Sequence, residues 1–406
     1  MLIKLQVEIS TLKSAGIVIL ALSLGHIPLL TETSVGLALR YLLLLFLLGC
    51  LFVLFIRRRV IPVSALWCYL SGLFIVFHGL LLTLQDIKPD VVEILMFLLA
   101  PFIYFLVGAY YSTYQNIGTM VKAMTVVMVL CSIQMVFAGA LTSFETAPFV
   151  VVRNEHTVYS LIFGTVHRGG RYGSIFAEAS DYAYASIIPL LYLIRTRAYF
   201  LVCLVFMGWA LAASLTSFFV LAFIFGLKFG KMVLNRMRIP AFIASLLAII
   251  FIGISVALVL LASTLEGLID GHKVWSLGTK MKGFKYMFNL IVDNPFGIGI
   301  RNLNAIALRD DINLSGGYLE MGIFFGISGL IVLAFFFRCL QEYLKSEGGS
   351  IIEVVYLGLI GIFLGAMVHG PLFKAYWVLF FGAVESYRAT RDAYMAENKK
   401  LALLST

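Results

Sequence analysis

Charge is what this sequence has least of. Asp, Glu, Lys and Arg make up 13% of the 406 residues, against 61% hydrophobic ones, and the mean hydropathy is +1.00. Scarcity on this scale excludes a soluble domain, because water would face far too much apolar surface. Cysteine is scarce as well. Cys50, Cys68, Cys131, Cys203 and Cys339 all fall inside or at the ends of apolar runs, so neither a disulfide framework nor a thiolate metal site is expected. The six histidines include no His-x-x-x-His pair, so neither a metal nor a metal cofactor is expected.

What the chain has instead is long apolar runs. Runs of roughly 17 to 25 residues are long enough to cross a bilayer core as helices, and twelve are read, near 14–30, 35–56, 60–83, 91–111, 119–140, 181–194, 198–213, 215–230, 239–262, 317–337, 351–369 and 372–385. The expected fold is therefore all-α: a polytopic integral membrane protein of about twelve transmembrane helices, forming one transmembrane domain over 1–406. The first run, after Lys4 and Lys13, is expected to be an uncleaved helix rather than a signal peptide. Short loops rich in Lys and Arg stay cytoplasmic. "RRR" at 57–59, "RTR" at 195–197, "KFGKMVLNRMR" at 228–238, Arg338 with Lys345, and the tail with Arg388, Arg391, Lys399 and Lys400 all fall inside if both termini are cytoplasmic. That agreement requires the seventh and eighth runs, around "AASLTSF", to be separate helices.

Two long segments, 141–180 and 263–316, then face outward. Loops this long are uncommon without a function. They hold nine basic residues against the positive-inside tendency: Arg153, Arg168 and Arg171 in the first, and Lys273, Lys280, Lys282, Lys285, Arg301 and Arg309 in the second. The net charge of +9 follows mostly from topology, and an outer membrane face meets no nucleic acid. Basic outer loops point to an anionic ligand at the membrane surface, such as a lipid phosphate. In the second loop, "GTKMKGFKYMFNLIVD" sets Met281, Phe284, Phe288 and Ile291 on one helical face and Lys282, Lys285, Asn289 and Asp293 on the other, the pattern of a helix lying in the interface. Asn294-Pro295 breaks it, and Gly297 and Gly299 permit a tight turn ahead of Arg301. Ser315 is read as the N-cap of the tenth span, with Glu320 about one turn in.

Each feature also has a plainer reading. Arg153, Arg168 and Arg171 suit lipid headgroups or pairing with Glu155, Glu178 and Asp181. Glu178, Ser180 and Asp181 suit the N-terminus of the sixth span, which explains Asp181 well and Glu178 only partly.

The order of "RYGSIFAEASDYAYASIIPLL", "ASLTSFFVLAF", "DNPFGIGIRN" and "LEMGIFFGISGLIVLAFF" resembles the O-antigen polymerase and O-antigen ligase superfamily of bacterial envelope glycosyltransferases, over roughly residues 150–340. The resemblance implies a C-type glycosyltransferase in the bacterial inner (cytoplasmic) membrane, active on the periplasmic face without a metal or other cofactor. Its donor would be an undecaprenyl-pyrophosphate-linked oligosaccharide; membrane lipids and a polysaccharide chain-length regulator are the other partners it admits. Arg171 and Glu178 match the family's arginine and acidic residue ahead of the sixth span, while Arg153 and Arg301 are basic residues of the two loops without so close a match. Arg168, Lys282, Lys285 and Arg309 complete the basic set expected at the substrate.

An arginine suits a departing pyrophosphate, because its planar fork binds phosphate oxygens bidentately and keeps its proton. The acceptor hydroxyl needs a base. Glu178 is the first candidate, with Glu320 and Asp311 behind it, each expected to be buried where an outer loop meets a span. The family's ligases are expected to carry a histidine about nine residues before the glutamate of "E-x-G-x-x-G"; Asp311 stands there, and "RDDINLSGG" has no histidine. Polymerase is therefore favoured over a ligase acting on lipid A core. A lipid-linked oligosaccharide flippase or exporter is the alternative of another class, but carriers place ionisable groups and related repeats near mid-membrane, and neither is seen here.

Overall fold

The computed structural model describes residues 34–58, 91–111, 113–153, 155–176, 178–213, 215–237, 289–298, 331–366 and 374–404, together with Gly16, Tyr286 and Gly326. The chain is mostly helical: α1 Ser34–Arg58, α2 Val91–Tyr110, α3 Tyr114–Leu141, α4 Ala179–Ala185, α5 Ile187–Arg195, α6 Tyr199–Ala212, α7 Leu215–Met237, α8 Ile331–Lys345, α9 Ile351–Ala366 and α10 Ala375–Leu404. Among the described residues one helix, Gln115–Leu141, is long and apolar enough by length and composition to cross a membrane; Val35–Leu51, Ala100–Tyr110, Tyr199–Ala212 and Ile351–Gly365 are shorter apolar helices. The runs at 60–83 and 239–262 lie outside the described residues, as do 14–30 apart from Gly16 and 317–330 apart from Gly326.

Helix α3 shows how local chemistry sets the ends. Thr113 stands at its N-cap and accepts the Asn116 N–H at 3.3 Å, which satisfies one donor of the first turn. The helix stops where Thr142 turns extended. Val126, Leu130, Ile133, Phe137 and Leu141 form one exposed stripe down its length, an apolar surface compatible with a membrane-embedded chain.

The helices cross closely because glycines let them. A methyl group on Gly108 of α2 would lie 1.9 Å from the Leu379 carbonyl oxygen of α10, and one on Gly382 would lie 2.3 Å from that of Phe105. Small residues of this kind are what allow apolar helices to approach without a hydrophobic drive. Along α9, Gly358, Gly361 and Gly365 receive Ile188, Ile224 and Tyr184 in turn. Gly108→Val is accordingly expected to force α2 and α10 apart and to cost several kcal/mol, as overpacking and strain do at such contacts. Thermal unfolding in detergent should show a large loss for this variant and little for Gly230→Ala, where open space surrounds the glycine.

Two runs depart from the expected spans. The sixth is broken at Ser186 into α4 and α5. The twelfth continues as α10 far beyond residue 385. The seventh and eighth runs are separate helices, α6 ending on Ala213 in the left-handed region.

The larger departure from an all-α fold lies in residues 141–180, which are not an irregular loop. It folds as an antiparallel meander, β1 Val150–Arg153, β2 Thr157–Ser160, β3 Gly164–His167 and β4 Arg171–Ser174, in the order β1-β2-β3-β4. The reason is local. "VVVR", "TVYS", "GTVH" and "RYGS" are short runs rich in Val, Thr and Tyr, separated by tight turns, and such residues fit a pleated surface.

Candidate functional site

The sheet stands against the ends of the helices. Tyr172 Oη donates to the Thr142 carbonyl at 3.0 Å, at the end of α3. Gln134, further down α3, donates to the Ile162 carbonyl at 2.8 Å and accepts from Ser174 Oγ. These bonds spend backbone and side-chain polar groups that would otherwise be unpaired beside apolar helices. They fix where the arginines of the sheet lie.

Arg171, at the start of β4, is half-buried and directs Nε at the Ala212 carbonyl of α6, 3.4 Å away. A cation is favoured there because the helix C-terminus carries partial negative charge. The bond is longer than the usual range for N–H to O, so most of the guanidinium's donor capacity is not committed to it. Arg153 and Arg168 are exposed and converge on one ring, their guanidinium carbons 5.7 and 5.8 Å from the centroid of Phe144. Arg153 also donates to the Phe144 carbonyl at 3.3 Å. Among the described residues none of these three arginines forms an ion pair with a carboxylate.

Glu178 follows β4 and occupies the N-cap of α4, but its side chain makes no capping bond to that helix. It is exposed, which corrects the expectation of burial: the turn after β4 carries residue 178 outward, while all of α4 from Ala179 to Ala185 is buried. The buried acid is Asp181. Its carboxylate pairs with Lys374 at 2.8 Å and receives a long contact of 3.5 Å from Tyr376 Oη. Pairing of Asp181 with a sheet arginine is therefore replaced by a tie to a lysine 193 residues away. Lys374 was hidden in the sequence inside the run read as the twelfth span, and a lone cation in an apolar run is the signal that marks it. Phe144 and Gln134 carried no sequence signal.

Of the second long segment, 263–316, a short stretch is described. Residues 289–293 are helical, and the Asn294 side chain and backbone both return to the Leu290 carbonyl. Pro295 then ends the helix, and Gly297 turns with a φ of +88°, as the break and turn were read. Gly326, with a φ of +60°, packs so tightly on this turn that a methyl group would lie 2.0 Å from the Pro295 carbonyl oxygen. The turn at 295–297 and Gly326, midway along the tenth run, are thus brought together. Arg301, Arg309, Asp311, Glu320, Lys282 and Lys285 lie outside the described residues.

Among the described residues no three His, Cys, Asp or Glu side chains are grouped as metal ligands. No protein-family model, curated protein or solved structure matches this chain.

Proposed function

We propose that this chain is a twelve-span inner-membrane glycosyltransferase that polymerises undecaprenyl-pyrophosphate-linked oligosaccharide repeats into O-antigen or a related surface polysaccharide on the periplasmic face. The observation that carries the reading is the sheet. Three guanidinium groups without a carboxylate partner among the described residues are held by short strands at one end of an apolar helical bundle. Groups of that kind suit an anion arriving at a membrane surface.

In the reaction, an acceptor hydroxyl oxygen attacks the anomeric carbon of the donor glycan, forming the new glycosidic bond. The bond from that carbon to the diphosphate oxygen breaks, and the electron pair leaves with the carrier diphosphate. Charge builds on the leaving oxygen, where Arg171 acts as a preorganised donor and Arg153 and Arg168 hold the diphosphate from the sheet. Glu178, exposed at the mouth of α4, accepts the hydroxyl proton. Arg301 is assigned to the same diphosphate, and Lys282, Lys285, Arg309, Asp311 and Glu320 to substrate binding, from the sequence alone.

The test is the glycan profile of a deletion strain. Loss of the polymerase leaves single repeats capped on lipid A. Absence of any glycan on lipid A, with lipid-linked polymer retained, would instead mark a ligase and contradict the reading.

A further inference from the structure

The sheet has two unlike rims. The turn between β2 and β3 and the residues leading into β1 form one rim, because Val150 pairs with Ser160 and Leu161 donates to the Phe149 carbonyl. That rim exposes Phe149, Val150, Val151, Leu161 and Ile162, the last two at 66% and 54%. The opposite rim holds the turns after β1 and β3, where Arg153, Glu155, His156 and Arg168 are exposed. Strands of this length set the rims about 13 Å apart.

The orientation of the apolar rim is fixed by Gln134. Its bond to the Ile162 carbonyl lies seven residues before the last residue of α3, which is about 10 Å down that helix. Gln134 also borders the exposed stripe of Leu130, Ile133 and Phe137, being within one turn of each. The apolar rim is thus continuous with the apolar face of α3, while Tyr172 holds the sheet at the level of Thr142.

We propose that the sheet is a membrane wedge: its apolar rim sits among the acyl chains of the leaflet on that side, and its basic rim stands at the headgroups. The occupant is lipid, because the same chains that solvate the stripe on α3 reach Ile162 without a break. Lysine-free and acid-free over Phe149 to Val151 and Leu161 to Phe163, the rim suits hydrocarbon, and the arginines above it suit phosphate. The consequence is that a lipid-linked donor diffusing in that leaflet meets the guanidinium groups at the depth of its own diphosphate. The proposal rests on the membrane-spanning reading of α3 and not on glycosyl transfer.

The experiment adds one tryptophan at a time to the full-length protein in phosphatidylcholine vesicles, as Ile162→Trp, Val151→Trp, Glu155→Trp and Leu130→Trp, and reads the added emission. Acyl-chain-brominated lipid should remove most of it at residues 130, 151 and 162 and little at 155, where aqueous iodide should quench. Iodide quenching at 151 and 162 would put the rim in water and overturn the wedge. Protection from both quenchers there would mean that protein covers the rim, and would overturn it equally. Failure of brominated lipid at 130 would overturn the spanning reading of α3 and the wedge with it.

Discussion

Glu178→Gln is expected to abolish chain extension while the lipid-linked donor still binds, and Arg171→Lys to cripple it although the protein folds and inserts. The first change keeps the size of an exposed side chain that makes no capping bond to α4, and protein level is matched before chain lengths are compared. It removes the proposed proton acceptor, a role worth about 10²- to 10⁴-fold. The second change keeps the charge that α6 favours at its C-terminus but removes the planar fork, and a lysine cannot bind two phosphate oxygens in one plane. A headgroup anchor would tolerate it. The check is glycan chain length in cells at matched protein level, with donor binding to purified variants. Wild-type chain length from both variants would leave the two residues as structural fittings of a helix end.

Lys231→Met is expected to have the largest effect on stability. The Lys231 ammonium donates to the Tyr343 and Ser346 carbonyls at 2.7 and 2.9 Å and to Ser346 Oγ at 3.1 Å. It also pairs with Glu353 at 3.0 Å, both side chains under a tenth exposed, and stands 4.4 Å over the Tyr343 ring. Glu353 sits in the first turn of α9, whose N–H at that position is capped by Ser350. One ammonium thus binds α7, the end of α8 and the start of α9. Its loss leaves the Glu353 carboxylate buried without its cation, which costs about 3–5 kcal/mol. Thermal unfolding in detergent should show that loss, and Lys231→Met with Glu353→Leu should recover much of it, because a buried pair replaced whole by apolar groups is tolerated far better than one broken. Equal loss from the double variant would mean that the bonds to the 343–346 turn, not the pair, hold this end.

The helices were legible because apolar runs must satisfy their backbone internally, and run length set the bounds of α1 and α2, though not of α10. Separation of α6 from α7 was legible through charge, since fusing them would move the lysines after Leu227 to the other side. The sheet was not. Its strands are four residues each, too short for a clear alternation, and they sit in a chain where helical runs dominate the reading. Within the candidate site, Arg171 and Glu178 stood out because they lie seven positions apart in the stretch that leads into the sixth run. Asp181 looked like a helix-capping acid, and only the fold brings Lys374 to it. Arg153 and Arg168 were legible as basic residues of one loop, but their meeting at Phe144 depends on the register of β1 with β2 and the turn after β3.

In the proposed reaction arginines, not a divalent metal, stabilise the departing diphosphate. The most direct measurement supplies undecaprenyl-pyrophosphate-linked repeats to the purified protein in vesicles, with excess EDTA, and follows product length on a gel. A ladder of extended lipid-linked glycans that EDTA leaves unchanged is the predicted result. No ladder from the wild-type protein, or one that EDTA removes and magnesium or manganese restores, would contradict the account.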